Sequence, residues 1–293
     1  MANISAKNEV SSNYIEDFDD LNINLFEKAN KVNKKLVKSN IKSQIRNIIY
    51  LLIAPVFVLL IWELGCKKGF INTMILPSPS SLLDTTIHLI ENGKLGGHLK
   101  ISGIRVVQGF LIGTVSGVVV GSIMGLSRSI NKILSAFVGI LRPIPMIAWI
   151  PLLILWMGID EESKIAVIVI GSFWPVLINT IHGIQSVDLK LLEVAKILEK
   201  STFEILIRVI FPSALPAIFT GIRLGMGSAW TCVVAAEMIA AAKGIGYMIM
   251  YARELSQPDV VFVGVISIGI IGLLIDTLIL KLQNKVLIWN IME

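Results

Sequence analysis

The sequence predicts an all-α polytopic membrane protein with six transmembrane helices, and three observations carry that prediction. Charged residues make up only 16% of the 293 positions and hydrophobic ones 54%, with a mean hydropathy of +0.77. Soluble domains carry about 25% charged residues, so too little polar surface exists here to cover a water-soluble body of this size. Six apolar runs, at 47–65, 103–126, 133–157, 163–183, 217–241 and 259–280, stand out along the chain. Each is close to the ~20 residues a helix needs to cross about 30 Å of hydrocarbon. Basic residues crowd the segment just before the first run, which sets both chain termini on the cytoplasmic side when the spans alternate.

The chain divides into a tail, 1–44, and a transmembrane domain, 45–293. The tail opens acidic (Glu16, Asp17, Asp19, Asp20) and closes basic (Lys28, Lys31, Lys34, Lys35, Lys38, Lys42). It reads as a cytoplasmic segment, largely disordered or a peripheral helix over 21–37, with no apolar run that would make a signal peptide. The net charge of +5 suits an anionic inner leaflet better than nucleic acid. Cys66 and Cys232 lack metal-ligand spacing and read as thiols rather than a disulfide framework.

Between the first two runs, Ser78 or Ser80 caps a short external helix to about Asn92, closed by Gly93, Gly96 and Gly97. The second run carries Gly109, Gly113, Gly117, Gly121 and Gly125, one every fourth residue. That spacing makes one helix stripe free of side chains, suited to close helix packing within the subunit or across a dimer. In the third run, Pro143, Pro145 and Pro151 free the carbonyls of Gly139, Leu141 and Ile147 from helical bonds, and lipid cannot satisfy them. Arg142 in the same run costs roughly 2.5–3.5 kcal/mol to insert, so it is expected to face a pathway or a partner. Trp149, Trp156 and Trp174 are aromatic candidates for that pathway. Asn179 and Thr180 of the fourth run are expected to bond to neighbouring helices. In the fifth, Arg223 is expected to snorkel inward. Glu237, near the outer end, reads either as one half of a structural ion pair, with Lys243 as a candidate partner, or as a gate residue. Asp276 in the sixth has Lys281 nearby and reads as structural, and Trp289 suits an interfacial anchor.

A polar island, residues 186–216, separates the fourth and fifth runs. Leu191, Leu192, Val194, Ala195 and Leu198 fall on one side of a 3.6-residue period, with Lys190, Glu193, Lys196 and Lys200 mostly on the other. A second short helix over 202–211 repeats the pattern with Phe203, Leu206, Ile207 and Ile210, and Pro212 and Pro216 punctuate the chain before the fifth run. Two short amphipathic helices hung from spans make a docking surface.

This island resembles the EAA loop of ABC-importer permeases through Glu193-Val194-Ala195, Phe203, Arg208, Pro212, Leu215-Pro216, Gly221 and Arg223. It departs in two places: Val194 replaces the usual second alanine, and Glu199 stands where the family has a glycine. Since glycine takes a positive φ without strain, Glu199-Lys200 is expected to turn another way. Leu76-Pro77-Ser78-Pro79 and the run from Arg142-Pro143-Ile144-Pro145 through Trp149-Ile150-Pro151-Leu152 to Gly158 resemble the nitrate/sulfonate/taurine group of that family. The resemblance covers about 55–280. It implies a type I ABC-importer permease fold and a multi-pass plasma or inner membrane location of bacterial type. It also implies a homodimer working with two ATPase subunits and an extracytoplasmic substrate-binding protein. Leu191, Glu193, Ala195, Leu198, Phe203, Arg208 and Pro212 would then couple to the ATPase, while Arg142, Pro143, Pro145, Trp149, Trp156, Trp174 and Glu237 would line the pathway. The cargo would be a small anion: a sulfonate or taurine first, with nitrate, bicarbonate or a thiamine-precursor pyrimidine as alternatives.

The chain has no Gly-x-x-x-x-Gly-Lys-Ser/Thr loop, so no enzyme activity is expected of it, and ATP and Mg are expected on the partner ATPase. No metal site is expected from the scattered His88, His98 and His182. Two other classes fit the composition: an ATPase-independent secondary transporter or channel, and a membrane scaffold. Neither gives the polar island its coupling role.

Overall fold

The computed structural model describes residues 53–287, which form two compact units divided after Ile71. In the first, helix α1 covers 53–67 and ends in a turn in which the Ile71 N–H donates to the Gly65 carbonyl (3.2 Å). The expected first span, 47–65, overlaps α1. Its earlier residues, the tail helix and Trp289 lie outside the described residues.

The regular elements described in the second unit are all helices: α2 (Pro79–Glu91), α3 (Lys94–Leu126), α4 (Arg128–Leu141), α5 (Met146–Met157), α6 (Glu161–Gln185), α7 (Leu189–Ile197), α8 (Thr202–Ile205), a π turn (Leu206–Ile210), α9 (Phe211–Ala240), α10 (Ile245–Glu254) and α11 (Pro258–Val286). Ser78 caps α2, its Oγ accepting from the Ser81 N–H (3.3 Å), with Pro79 at the first turn. Gly93, at φ 66, separates α2 from α3. Gly96 and Gly97 do not close α2, as expected from sequence, but lie inside α3, where the helical bonds have already resumed.

The glycine stripe decides the packing. A Cβ on Gly109 would lie 2.6 Å from Ile168 Cβ, one on Gly117 3.0 Å from Val176 Cβ, and one on Gly121 2.8 Å from Thr180 Cβ. On Gly113 it would collide with Ser172 Oγ, and on Gly125 it would sit 3.0 Å from Ile184 Cβ. All five glycines therefore meet α6 within the same chain, so the backbones approach closely and dispersion replaces the hydrophobic push that lipid cannot supply. The pairing ascends in both sequences together, so α3 and α6 run parallel. Glycines of α6 and α9 do the same in antiparallel fashion: Gly183 faces Ala217, and Gly221 faces Asn179 (2.7 Å to its Cβ).

Because α3 and α6 are parallel, the chain must return between Leu126 and Glu161, and α4 with α5 makes that return. The segment expected as one span at 133–157 is broken in the middle. α4 and α5 meet at 96°, because Pro143 and Pro145 deny N–H groups to the carbonyls of Gly139 and Leu141 while bracketing one residue, Ile144. Pro151 lies within α5 without breaking it. Four further segments are long and apolar enough to cross a membrane: α3, α6, α8 running through the π turn into α9, and α11. The core lies where α3, α5, α6 and α9 converge, around Phe110, Ile150, Ile168, Trp230 and Val233.

Three polar expectations also change. Asn179 and Thr180 bond not to neighbouring helices but to their own, donating to the Pro175 carbonyl (2.8 Å) and the Val176 carbonyl (2.8 Å). This satisfies each group locally while leaving the helix surface smooth. Asp276 is structural, as expected, but its partner is Arg223 rather than the nearby Lys281: the two form a forked pair at 2.7 and 2.8 Å that ties α9 to α11.

Candidate functional site

Three features of the helix bundle could do work. The first is a cleft of about 440 Å³ at the break between α4 and α5, lined by Arg142, Met146, Gly171, Trp174, Asn179 and Ser228, among others. Arg142 ends α4 as its cap, and Met146 begins α5, so the cleft receives both a guanidinium and the N-terminal turn of a half-helix, where N–H groups lack helical acceptors. Pro175 withholds an N–H from the Gly171 carbonyl in the opposite wall. The indole N–H of Trp174 is buried with no partner. Among the described residues no acid lines this cleft, and none pairs with Arg142. By contrast Arg223, one residue from the cleft-lining Leu224, is neutralised by Asp276. Along α6, Gly171 lies about 15 Å and Asn179 about 27 Å from the Glu161 end, so the cleft is deep within the length of the bundle.

Of the predicted pathway residues, the structure brings Arg142 and Trp174 together in this cleft. Pro143 and Pro145 form the break itself. Trp149 packs against the core beside Met146, while Trp156 lies in the last turn of α5, 66% exposed. Glu237 is elsewhere.

The second feature is the surface formed by α7 and α8. Asp188 caps α7, accepting from the Lys190 N–H (2.9 Å). Only Ala195 is buried; Glu193 and Arg208 are exposed, as are the apolar Leu191, Leu198 and Phe203, the last 69% exposed. Pro212 opens α9, also exposed. The turn between the helices corrects the expectation for Glu199. It does not turn another way but adopts φ 53, the conformation a glycine would have. The Lys200 N–H reaches the Ala195 carbonyl (3.2 Å) and the Glu199 N–H the Lys196 carbonyl (2.9 Å), which closes α7 in a Schellman motif. These two bonds hold a side-chain-bearing residue in a region that costs roughly 1–2 kcal/mol. A capping box then starts α8: the Glu204 N–H donates to Ser201 Oγ (3.2 Å) and the Ser201 N–H to Glu204 Oε2 (3.3 Å). The spacing Ser201-x-x-Glu204 was a readable signal for it.

The third feature lies at the opposite end, where α3 and α6 begin and α9 ends. Glu237, 1% exposed, accepts from Arg105 Nη1 (2.7 Å), Ser102 Oγ (2.8 Å) and the Gly246 N–H (3.0 Å). Arg105, 4% exposed, also donates to the Lys243 carbonyl (2.7 Å) and, through Nε and Nη2, to both oxygens of Glu161 (2.6 Å each). Glu237's partner is thus Arg105, and Lys243 contributes its carbonyl rather than its charge. Glycine is required beside the carboxylate, since a Cβ on Gly244 (φ 121) would overlap Glu237. Sequence reasoning missed Arg105, Ser102 and Glu161. The available signal was Arg105, the one charged residue of the 103–126 run, and Glu237, the one acid of the 217–241 run, at ends that alternating topology brings together.

Residues 114–287 match the family of binding-protein-dependent transport system inner membrane components. The chain is 42% identical over 239 residues to a putative aliphatic sulfonates transport permease protein of Bacillus subtilis, covering 82% of this chain and 87% of that one. It is 34% identical to the taurine transport system permease protein of Escherichia coli (80% and 86% covered) and 35% identical to the nitrate import permease protein of Synechocystis (80% and 87%). In fold it is similar to a chain of the MetNI methionine ABC transporter, with a TM-score of 0.55 at 18% identity, covering 63% of this chain and 92% of that one.

Proposed function

The chain belongs to the binding-protein-dependent transport system inner membrane components, as a multi-pass permease of an ABC importer, and from that premise we propose that its cargo is a small anion, a sulfonate or taurine first. The observation that carries this reading is the cleft at the α4–α5 break: a cation without an acid and the start of a half-helix meet between the helices, with Trp174 in the wall. Discontinuous helices serve transporters in this way because their N-terminal ends favour negative charge. The sulfonate, taurine and nitrate permeases to which the chain is similar support the same class.

The importer works with an ATPase and a substrate-binding protein as partners. The finer arrangement we propose is a homodimer with two ATPase subunits. The α7–α8 face lies in the cytoplasm and the Glu161 end outside, and ATP and Mg are held by the ATPase. Leu191, Leu198 and Phe203 supply the apolar contacts of the docking face, with Glu193 and Arg208 at its rim. Nucleotide-driven closure of the ATPases carries these helices with it, and the bundle alternates access around the Arg142 cleft.

The test is uptake of labelled taurine and methanesulfonate by liposomes holding the permease, its ATPase and its binding protein. Arg142→Leu is expected to lower uptake at least about tenfold, the scale of a charge-assisted contact, with the complex still assembled. Wild-type uptake by Arg142→Leu overturns the anion reading, and transport of neither compound by the wild type overturns the choice of sulfonate or taurine. Retained uptake by Glu193→Arg overturns the assigned docking face.

A further inference from the structure

At the end away from the docking face, a second cavity of about 680 Å³ is lined by Ile101, Arg105, Asp160, Glu161, Lys164 and Lys243, among others. The Arg105 guanidinium presents two different contacts there. One edge is committed to Glu237, whose side chain is wholly buried, and to the Lys243 carbonyl. The other, the Nε–Nη2 fork, is filled by Glu161, whose side chain is 59% exposed. Lys164, itself 4% exposed, adds its ammonium at 3.5 Å from Glu161 Oε1 and is anchored by the carbonyls of Ile159 (2.9 Å) and Asp160 (3.0 Å).

We propose that this fork is an oxoanion site on the permease, occupied in the present state by the Glu161 carboxylate as a tethered ligand, and that sulfonate-class anions exchange with it. The inference rests on the anion reading of the cargo. Three features of the cluster support it. The two buried cations are fixed by groups other than Glu161, so the site survives its departure. Glu237 keeps Arg105 compensated when the fork opens, while Lys164, whose ion pair is with Glu161, is left as a buried charge that an incoming anion compensates. Glu161, more than half exposed, passes into water when it leaves, whereas Glu237 has no such route. A planar guanidinium fork matches two oxygens of a carboxylate or of a sulfonate alike. Glu161 begins α6, so exchange also unties the end of α6 from α3, which links arrival of an anion to freedom of the helix that carries Trp174 and Asn179.

The experiment is isothermal titration of the purified full chain in detergent with methanesulfonate at constant ionic strength. A site that is competent only when its internal ligand is out shows an affinity weakened by that fraction. Glu161→Gln and Glu161→Ala are therefore expected to bind methanesulfonate at least about tenfold more tightly than the wild type. Adding Arg105→Lys to Glu161→Ala is expected to abolish the gain, because an ammonium cannot reproduce the fork. Melting temperatures of each variant report that the chain is folded. If neither single variant gains affinity, or the gain persists with Arg105→Lys, the proposal is overturned. The titration needs no transport, so a complex that fails to carry sulfonates overturns the cargo reading whatever the calorimeter reads, and the two ideas fail separately.

Discussion

The seam between α3 and α6 and the face of α7 and α8 are built in opposite ways from equally short motifs. Along the seam, five glycines bring one helix against another so closely that every added carbon would collide or strain its neighbour, and a buried ion cluster clamps one end. On the α7–α8 face, the order is entirely local: an Asp188 cap, a Schellman turn, a Ser201–Glu204 box, with apolar side chains left outward. The seam is complete within one chain. The α7–α8 face keeps its apolar side chains exposed, and its internal bonds hold its shape. On the proposed reading, an ATPase covers that surface.

Four substitutions sharpen or break that contrast. The largest loss of stability is expected at the clamp: Glu237→Ala leaves Arg105 partly unpaired in a buried setting and should cost about 3–5 kcal/mol, read by denaturant unfolding in mixed micelles. Retention of wild-type stability would mean the clamp adds nothing to the seam. Next is Gly113→Val, which forces the α3 backbone away from Ser172 and the Val169 carbonyl and should cost about 1–3 kcal/mol or more by the same measurement. On the α7–α8 face the sign reverses. Glu199→Gly relieves a left-handed residue and should stabilise the turn by at most about 1 kcal/mol after the added freedom of the unfolded chain. Amide exchange at Lys200 should slow up to about fivefold. Smallest in stability is Phe203→Asp, within about 0.5 kcal/mol of wild type because the side chain is exposed. Yet co-purification of the ATPase should fall at least about tenfold, as for an interface anchor. Loss of stability without loss of the ATPase would remove Phe203 from the docking face.

Periodicity made much of this legible. A glycine every fourth residue told of a close helix contact, and the contact lies on α6. The polar island at 186–216 was half-read: α7 is the short helix expected, but the second helix, expected to stop at Phe211 before Pro212, runs through the π turn into α9. What stayed hidden was long-range pairing. Arg105 and Glu237 are 132 residues apart, and nothing local distinguishes Arg105 from an arginine that reaches the interface. Lys243 looked like Glu237's partner because it was near in sequence; its backbone carbonyl proved to be the useful group. Arg223 and Asp276 were each given the nearest plausible environment, and each had the other. The 96° bend was half-read: the prolines announced freed carbonyls, but whether a proline pair kinks or breaks a helix depends on the space its neighbours leave. Glu199 was misread because a residue's preference is weaker than two well-placed hydrogen bonds.

One further consequence comes from the continuity of α8, the π turn and α9. No loop interrupts the backbone from Thr202 to Ala240, and these 39 residues extend about 58 Å. α6 grips that helix at three levels, with Gly183 against Ala214 and Ala217, Gly221 against Pro175 and Asn179, and Gly171 against Cys232. On the proposed orientation, a push at the α7–α8 end therefore reaches the Glu161 end only when α6 and α9 travel together.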